Sequence, residues 1–179
     1  MTPWTVKKPL MRAARYTTTL DPLEREVLGN LTAQVADALM ERARTAPRDE
    51  LAQMMDMPTG HTDAPDDPSL ARLLPDFERS GDEEYDGDNG LLRSLHESDI
   101  ITGKLDHLRV IADAVGPDGS VQISLTGDEV PAFIAGLNDL RLYLAAQEID
   151  DVARAAERDN LVEWLAYNQD SLLSAYTGD

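Results

Sequence analysis

Three groups of residues in this 179-residue chain have the types and spacing that could do chemistry. Asp82-Glu83-Glu84-Tyr85-Asp86-Gly87 sets carboxylates at alternate positions before a glycine, as a calcium-binding loop does. With Gly87 at the turn, Asp82, Glu84 and Asp86 fall on the first, third and fifth ligand positions, but the closing glutamate position is Arg93. The segment therefore reads as a solvated acidic loop. His96 and Asp99, three residues apart, could offer two metal ligands from one helical face. The chain has no HExxH, and a third ligand would have to come from elsewhere, so a surface or structural role for its histidines is the simpler account. No GxSxG, P-loop or GxGxxG pattern occurs. The third group, Asn138-Asp139-Leu140-Arg141-Leu142, places Arg141 in helical phase with Leu137 and Leu144. A guanidinium beside a buried face needs an acceptor. A structural salt bridge is expected there, with a partner-binding hot spot as the alternative.

The charges are unevenly distributed. The first twenty residues hold Lys7, Lys8, Arg12 and Arg15 and no acid, so the formal charge of −18 leaves −22 on the remainder. Such a body repels phosphate backbones and anionic lipid and favours basic partners. The bland account of the four cations is protection of a sheet edge against aggregation; the functional account is a contact surface. There is no cysteine, which excludes thiolate catalysis, disulfide sensing and cysteine-ligated metals within the chain. MTPWTVKKPLMRAARYTTTL has no apolar run of the signal-peptide kind, and no stretch approaches the roughly 18 apolar residues of a membrane span. A cytoplasmic protein is expected.

The elements that must position these residues follow from periodicity and caps. Trp4, Val6, Tyr16 and Thr17–Thr19 favour two short strands, near 4–8 and 12–19, with Pro9 near the turn. Asp21-Pro22-Leu23-Glu24 is a capping-box start. Leu23, Val27, Leu28, Leu31, Val35, Ala38 and Leu39 then trace one apolar stripe to about Arg44. A short helix is expected at 48–56 and another turn or two across Leu70, Leu73 and Leu74. Residues 91–115 read as a long helix with Leu92, Leu95, Leu105, Leu108, Ala112 and Val115 facing the core, and Gly103 as its weak point. Val121, Ile123 and Leu125 alternate as a half-buried strand that should pair with the N-terminal strands. Thr126 and Glu129 form a second capping box, opening a helix through Leu144. A polar linker at 150–158 should lead to a last helix, 159–176, built on Leu161, Trp164, Leu165, Leu172 and Tyr176. The expected fold is mainly α: a four-helix core with a small antiparallel sheet of the N-terminal strands plus the 120–125 strand. One domain spans 1–179, with a basic β arm at 1–20 and an acidic, partly mobile loop region at 56–90.

The order of these segments resembles the actinobacterial DUF2017 family. The matching residues are the Trp4 strand, the helix opened by Asp21, Glu24 and Arg25, the middle Leu73-Leu74-Pro75-Asp76, the run Leu137-Asn138-Asp139-Leu140-Arg141-Leu142, and Trp164-Leu165 with Gln169 and Leu172. The resemblance covers nearly the whole chain, and Asn-Asp-Leu-Arg-Leu is its most specific piece. It implies a regulator of the oxidative-stress transcriptional response that works with a sigma factor and promoter DNA. Clp-adaptor genes near those of the family suggest an adaptor or scaffold in protein quality control as an alternative. An enzyme with a metal-assisted site formed by His96, Asp99 and the acidic loop is a third reading. The chain departs from a thiol-switch regulator in having no cysteine, although Met11, Met40, Met54, Met55 and Met57 can still be oxidised.

These expectations assign no catalytic, cofactor-binding or metal-binding residue and no cofactor. The candidate partner-binding residues are Lys7, Lys8, Arg12, Arg15, Asn138, Asp139 and Arg141. The expected partner is a protein, a sigma factor or another transcription component, with weak DNA contact, no membrane, and room for self-association.

Overall fold

The computed structural model describes residues 1–8, 13–47, 60–77, 88–116 and 121–178. In chain order the elements are β1 (Thr5–Lys7), β2 (Arg15–Thr19), α1 (Pro22–Arg44), α2 (Pro68–Leu73), α3 (Asp88–Val115), β3 (Gln122–Thr126), α4 (Val130–Ala145) and α5 (Val152–Thr177). The expected helix at 48–56, Pro9, Arg12 and the acidic loop at 82–87 lie outside the described residues.

The strands form one antiparallel sheet in the order β1-β2-β3, with Val6 opposite Tyr16 and Tyr16 opposite Leu125. The expected pairing of the distant strand with the N-terminal pair is what the structure has. Side chains alternate across the pleat. Tyr16, Thr18, Ile123 and Leu125 are buried against the helices, while Thr5, Lys7, Arg15, Thr19, Gln122 and Ser124 face solvent.

Helix α1 begins and ends where its signals place it. The Asp21 carboxylate accepts from Leu23 N at 2.9 Å, and Glu24 accepts from Asp21 N at 2.7 Å. Its buried stripe is Leu28, Leu31, Val35 and Leu39; Leu23, expected on that stripe, is exposed in the first turn. The reciprocal bonds expected of the second capping box form as well, Thr126 N donating to Glu129 at 2.7 Å and Glu129 N to Thr126 Oγ1 at 3.3 Å, but in the turn that leads into α4, which starts at Val130 with no side-chain cap. Helix α4 is the central helix, packed by α3 and α5 with α2 and α1 completing its surround. It buries Val130, Phe133, Leu137 and Leu140 completely. At Gly136 the approach of α3 is close enough that a Cβ would sit 2.7 Å from Ile111 Cδ1 and 3.1 Å from the His107 carbonyl oxygen.

Three expectations are corrected. Residues 150–158 are not a linker, because Asp151 accepts from Arg154 N at 2.9 Å and caps α5, which starts at Val152. Tyr176 is exposed, although its ring lies 5.6 Å from that of Tyr16. Helix α3 begins at Asp88, and its buried face is Ile101, Leu108, Ile111 and Val115 continued by Arg93 and Glu97, with Leu95 and Ala112 exposed. The face runs through two charged residues, so a search for apolar spacing finds the wrong phase at its N-terminal end.

Those charges organise the segment 60–77. Arg93, 2% exposed, donates to Glu97 at 2.7 Å, to the Leu74 carbonyl at 3.0 Å and to Asp76 at 2.8 Å. From α1, Arg42 donates to the other Glu97 oxygen at 2.7 Å and to the Asp63 carbonyl at 2.6 Å. One carboxylate thus joins two guanidiniums, and each guanidinium holds one end of the segment.

Removing one partner of a buried ion pair strands the others, at a cost of about 3–5 kcal/mol. Glu97→Gln is expected to destabilise toward that range in urea unfolding, whereas Arg44→Ala, on an exposed pair with Glu41, should change stability by less than about 0.5 kcal/mol. Gly136→Ala should cost about 1–3 kcal/mol by overpacking the α3–α4 crossing, read as a fall in urea midpoint at unchanged slope.

Candidate functional site

The outward face of the sheet carries the first set of candidates. Lys7 and Arg15 are direct partners across β1 and β2, and both are exposed. With Lys8, Thr17 and Ser124 they line an open hollow of about 890 Å³. Glu129, at the foot of α4, stands within Arg15's field. Its carboxyl is held below the ordinary carboxylate value by hydrogen bonds from the Thr126 N–H and hydroxyl, against the opposing effect of burial and with a further contribution from Arg15.

The sheet holds its orientation through Trp4, which precedes β1. Its indole N–H donates to Asn168 Oδ1 at 2.6 Å, its backbone N–H donates to Ser171 Oγ at 2.9 Å, and its ring meets Phe133 edge-on at 5.6 Å. Asn168 is fully buried in α5, and its Nδ2 has no partner among the described residues. A second pin lies at the start of α1. Glu24 accepts from the Met1 ammonium at 2.6 Å and from the Trp164 indole at 2.9 Å while closing its own capping box.

Asn138 and Asp139 lie elsewhere, on a shallow groove between α3 and α4 with Ile100, Gly103, Lys104 and His107. Asp139 is buried and pairs with Lys104 at 2.7 Å. Gly103, the expected weak point of α3, sits in this groove without breaking the helix. Arg141 turns toward α5 and donates to the Gln169 side-chain oxygen, not to a carboxylate. The salt bridge expected at Arg141 is therefore absent among the described residues, and its Nε is buried without a partner there. The acceptor is a neutral amide from α5, and Gln169 Nε2 donates in turn to the Ile134 carbonyl at 3.5 Å.

The structure thus brings Lys7, Lys8 and Arg15 together, sends Asn138 and Asp139 to the α3 side of α4, and sends Arg141 to its α5 side. His96 lies against the Phe77 ring at 6.0 Å, and no group of three metal-ligating side chains occurs among the described residues. Among those residues, no helix is long and apolar enough to cross a membrane. Sequence reading missed Trp4–Asn168 and the Arg93–Glu97–Arg42 cluster. The only prior signal for the latter was Arg93 four residues ahead of Glu97, a spacing shared by many solvent-exposed pairs.

The model of a family described as Domain of unknown function (DUF2017) matches residues 1–176. The chain belongs to this family. Over 183 aligned residues it is 34% identical to proteins named "Oxidative stress regulator AosR" in Mycobacterium tuberculosis (strain ATCC 25618 / H37Rv) and Mycobacterium bovis, covering 92% of this chain and 83% of each relative. It is also 34% identical over 146 residues to a "Putative oxidative stress regulator AosR" of Mycobacterium leprae, covering 76% of this chain and 67% of that one. No solved structure matches. Several of the residues named in the resemblance also pin the fold. Trp4 holds β1, and Arg25 donates to the carbonyls of Val115 (3.0 Å) and Gly116 at the end of α3. Asp76 meets Arg93, Arg141 meets Gln169, and Trp164 meets Glu24.

Burial raises the Glu24 carboxyl pKa, but the hydrogen bonds from Met1, Asp21 and Trp164, with the ammonium charge, leave it below the ordinary 4.5. A carboxyl whose folded pKa is depressed adds stability that is complete above its unfolded pKa and is lost as pH falls through the folded one. The loss should therefore set in near pH 4.5 and continue below it. Glu24→Gln should cost about 1 kcal/mol at pH 7 and make the acid limb of the stability–pH curve shallower, measured by urea unfolding at stepped pH. An acid limb identical to wild type would refute this role.

Proposed function

We propose that this protein is a non-enzymatic, cytoplasmic regulator of the oxidative-stress response that works by contact with a transcription protein. The observation that carries the reading is 34% identity, over nine-tenths of the chain, to proteins named oxidative stress regulators. The charge distribution supports protein contact as the mode. Exposed carboxylates stand on all three long surface helices, among them Glu26 and Asp37 on α1, Asp99 and Asp106 on α3, and Glu163 and Asp170 on α5. Such a surface attracts a basic partner and speeds its encounter. A sigma factor is the partner proposed, since it presents basic DNA-reading surfaces that carboxylates can meet.

Promoter DNA would reach this regulator chiefly through that partner. Lys7, Lys8, Arg12 and Arg15 make only a few phosphate contacts, which is weak binding at physiological salt, and the formal charge of −18 opposes it. Because the chain has no cysteine, a thiol in the partner or methionine oxidation would carry the oxidant signal. Met40, 49% exposed on α1, is the described methionine most open to oxidant.

The test is affinity capture of the tagged full chain from lysate of its own host, with captured proteins identified by mass spectrometry at low and high salt. A sigma factor or RNA polymerase subunit should be recovered at low salt and lost at high salt. Recovery of neither under either condition overturns the reading.

A further inference from the structure

Direct cross-strand pairing of like charges weakens a sheet, yet β1 and β2 set Lys7 directly against Arg15. Lys8 lines the same hollow, with the hydroxyl-bearing Thr17 and Ser124 on the neighbouring strands. In a chain with 34 acidic residues, matching carboxylates are abundant. Even so, none of these three cations makes an ion pair among the described residues. The carboxylate that Arg15 feels, Glu129, is already taken by Thr126. The hollow is backed by a rigid support, because the opposite face of the same strands carries the buried Tyr16, Ile123 and Leu125.

We propose that this outward sheet face is a binding site for a compact polyphosphate anion, the class that includes nucleoside triphosphates and inorganic polyphosphate. Converging ammonium and guanidinium groups with hydroxyl donors match clustered phosphate oxygens, and a bound anion turns the Lys7–Arg15 repulsion into a bridge. Among the described residues no aromatic ring lines the hollow, so the site reads the phosphates and not a base. Size separates a small anion from a nucleic acid. Charges are screened over about 8 Å at physiological salt, so a compact ligand feels the local cations, while a duplex also lies over the carboxylate-rich helices. The site stands apart from the protein-contact reading: loss of anion binding would leave partner capture unaffected, and the reverse.

Isothermal titration of the full chain with sodium tripolyphosphate, with ATP as a second probe, tests the site. Saturable binding is expected, weakened about tenfold or more by Arg15→Gln and by Lys7→Gln, since each removes a charge-assisted hydrogen bond. Arg109→Gln, on the exposed face of α3, should leave it unchanged. Both sheet residues are exposed, so the variants should fold, and without anion the Lys7→Gln/Arg15→Gln pair should melt close to wild type, since the Lys7–Arg15 repulsion goes together with Arg15's attraction for Glu129. Tripolyphosphate should raise the melting temperature of wild type and not of the double variant. Three outcomes overturn the proposal: no saturation at millimolar tripolyphosphate, equal weakening by Arg109→Gln, or a short DNA duplex that binds more tightly than tripolyphosphate through the same residues.

Discussion

A buried hydrogen bond from the Trp4 indole to Asn168 sets which side of the sheet meets water. Asn168 is fully buried in α5, and Trp4 is 5% exposed with its ring edge against Phe133 of α4. A polar pair in that position resists misregistration, since slipping β1 by one residue would strand both groups in an apolar setting. Because side chains alternate, pinning Trp4 inward turns Thr5 and Lys7 outward, and pairing with β2 then brings Arg15 to the same face. The exposed cations owe their common orientation to a contact made on the opposite side of the strand.

The middle of the chain obeys a related constraint with charge in place of an indole. Glu97 sits between Arg42 and Arg93, 2.7 Å from each; Arg42 also donates to the Asp63 carbonyl, and Arg93 to the Leu74 carbonyl and Asp76. Apolar side chains of similar size would pack as well and carry less desolvation cost. What charge adds is directionality: a guanidinium that must satisfy Leu74 O and Asp76 at once admits one placement of the end of α2. Leu73 and Leu74 are thereby delivered to the core, each 2% exposed.

Both arrangements mark where sequence reasoning stops. The α1 helix was legible to its ends because Asp21, Pro22 and Glu24 are local signals and its buried stripe is apolar. The sheet was legible because Val121, Ile123 and Leu125 alternate and had no neighbour in sequence to pair with. The start of α5 was hidden because Arg154, Glu157, Arg158 and Asp159 break up the apolar spacing over 152–160, where one long helix extends beyond the core it packs on. The phase of α3 was hidden because Arg93 and Glu97 occupy its buried face. Arg141 was correctly placed beside the core, but a single sequence does not say whether an arginine meets a carboxylate or, as here, an amide from a helix 28 residues away. Of the candidate residues, the cation cluster could be grouped from local spacing. The separation of Asn138 and Asp139 from Arg141 could not, since that depends on which helices flank α4.

Charge therefore means different things on the helices and on the sheet. On the helices, acidic groups are spread over long exposed faces, and their sum acts at a distance as a field. On the sheet, Lys7 stands opposite Arg15 with Lys8 just beyond the end of β1, and the register keeps their backbone positions together. A diffuse field suits recognition of a large, basic, loosely specified surface, because no single carboxylate has to be in one place. A converging cluster suits a small ligand of opposite sign, because only a compact charge can touch all of its members at once. The architecture keeps the two apart by giving them different elements, helices for one and strands for the other, joined through the Trp4 contact that fixes their relative orientation.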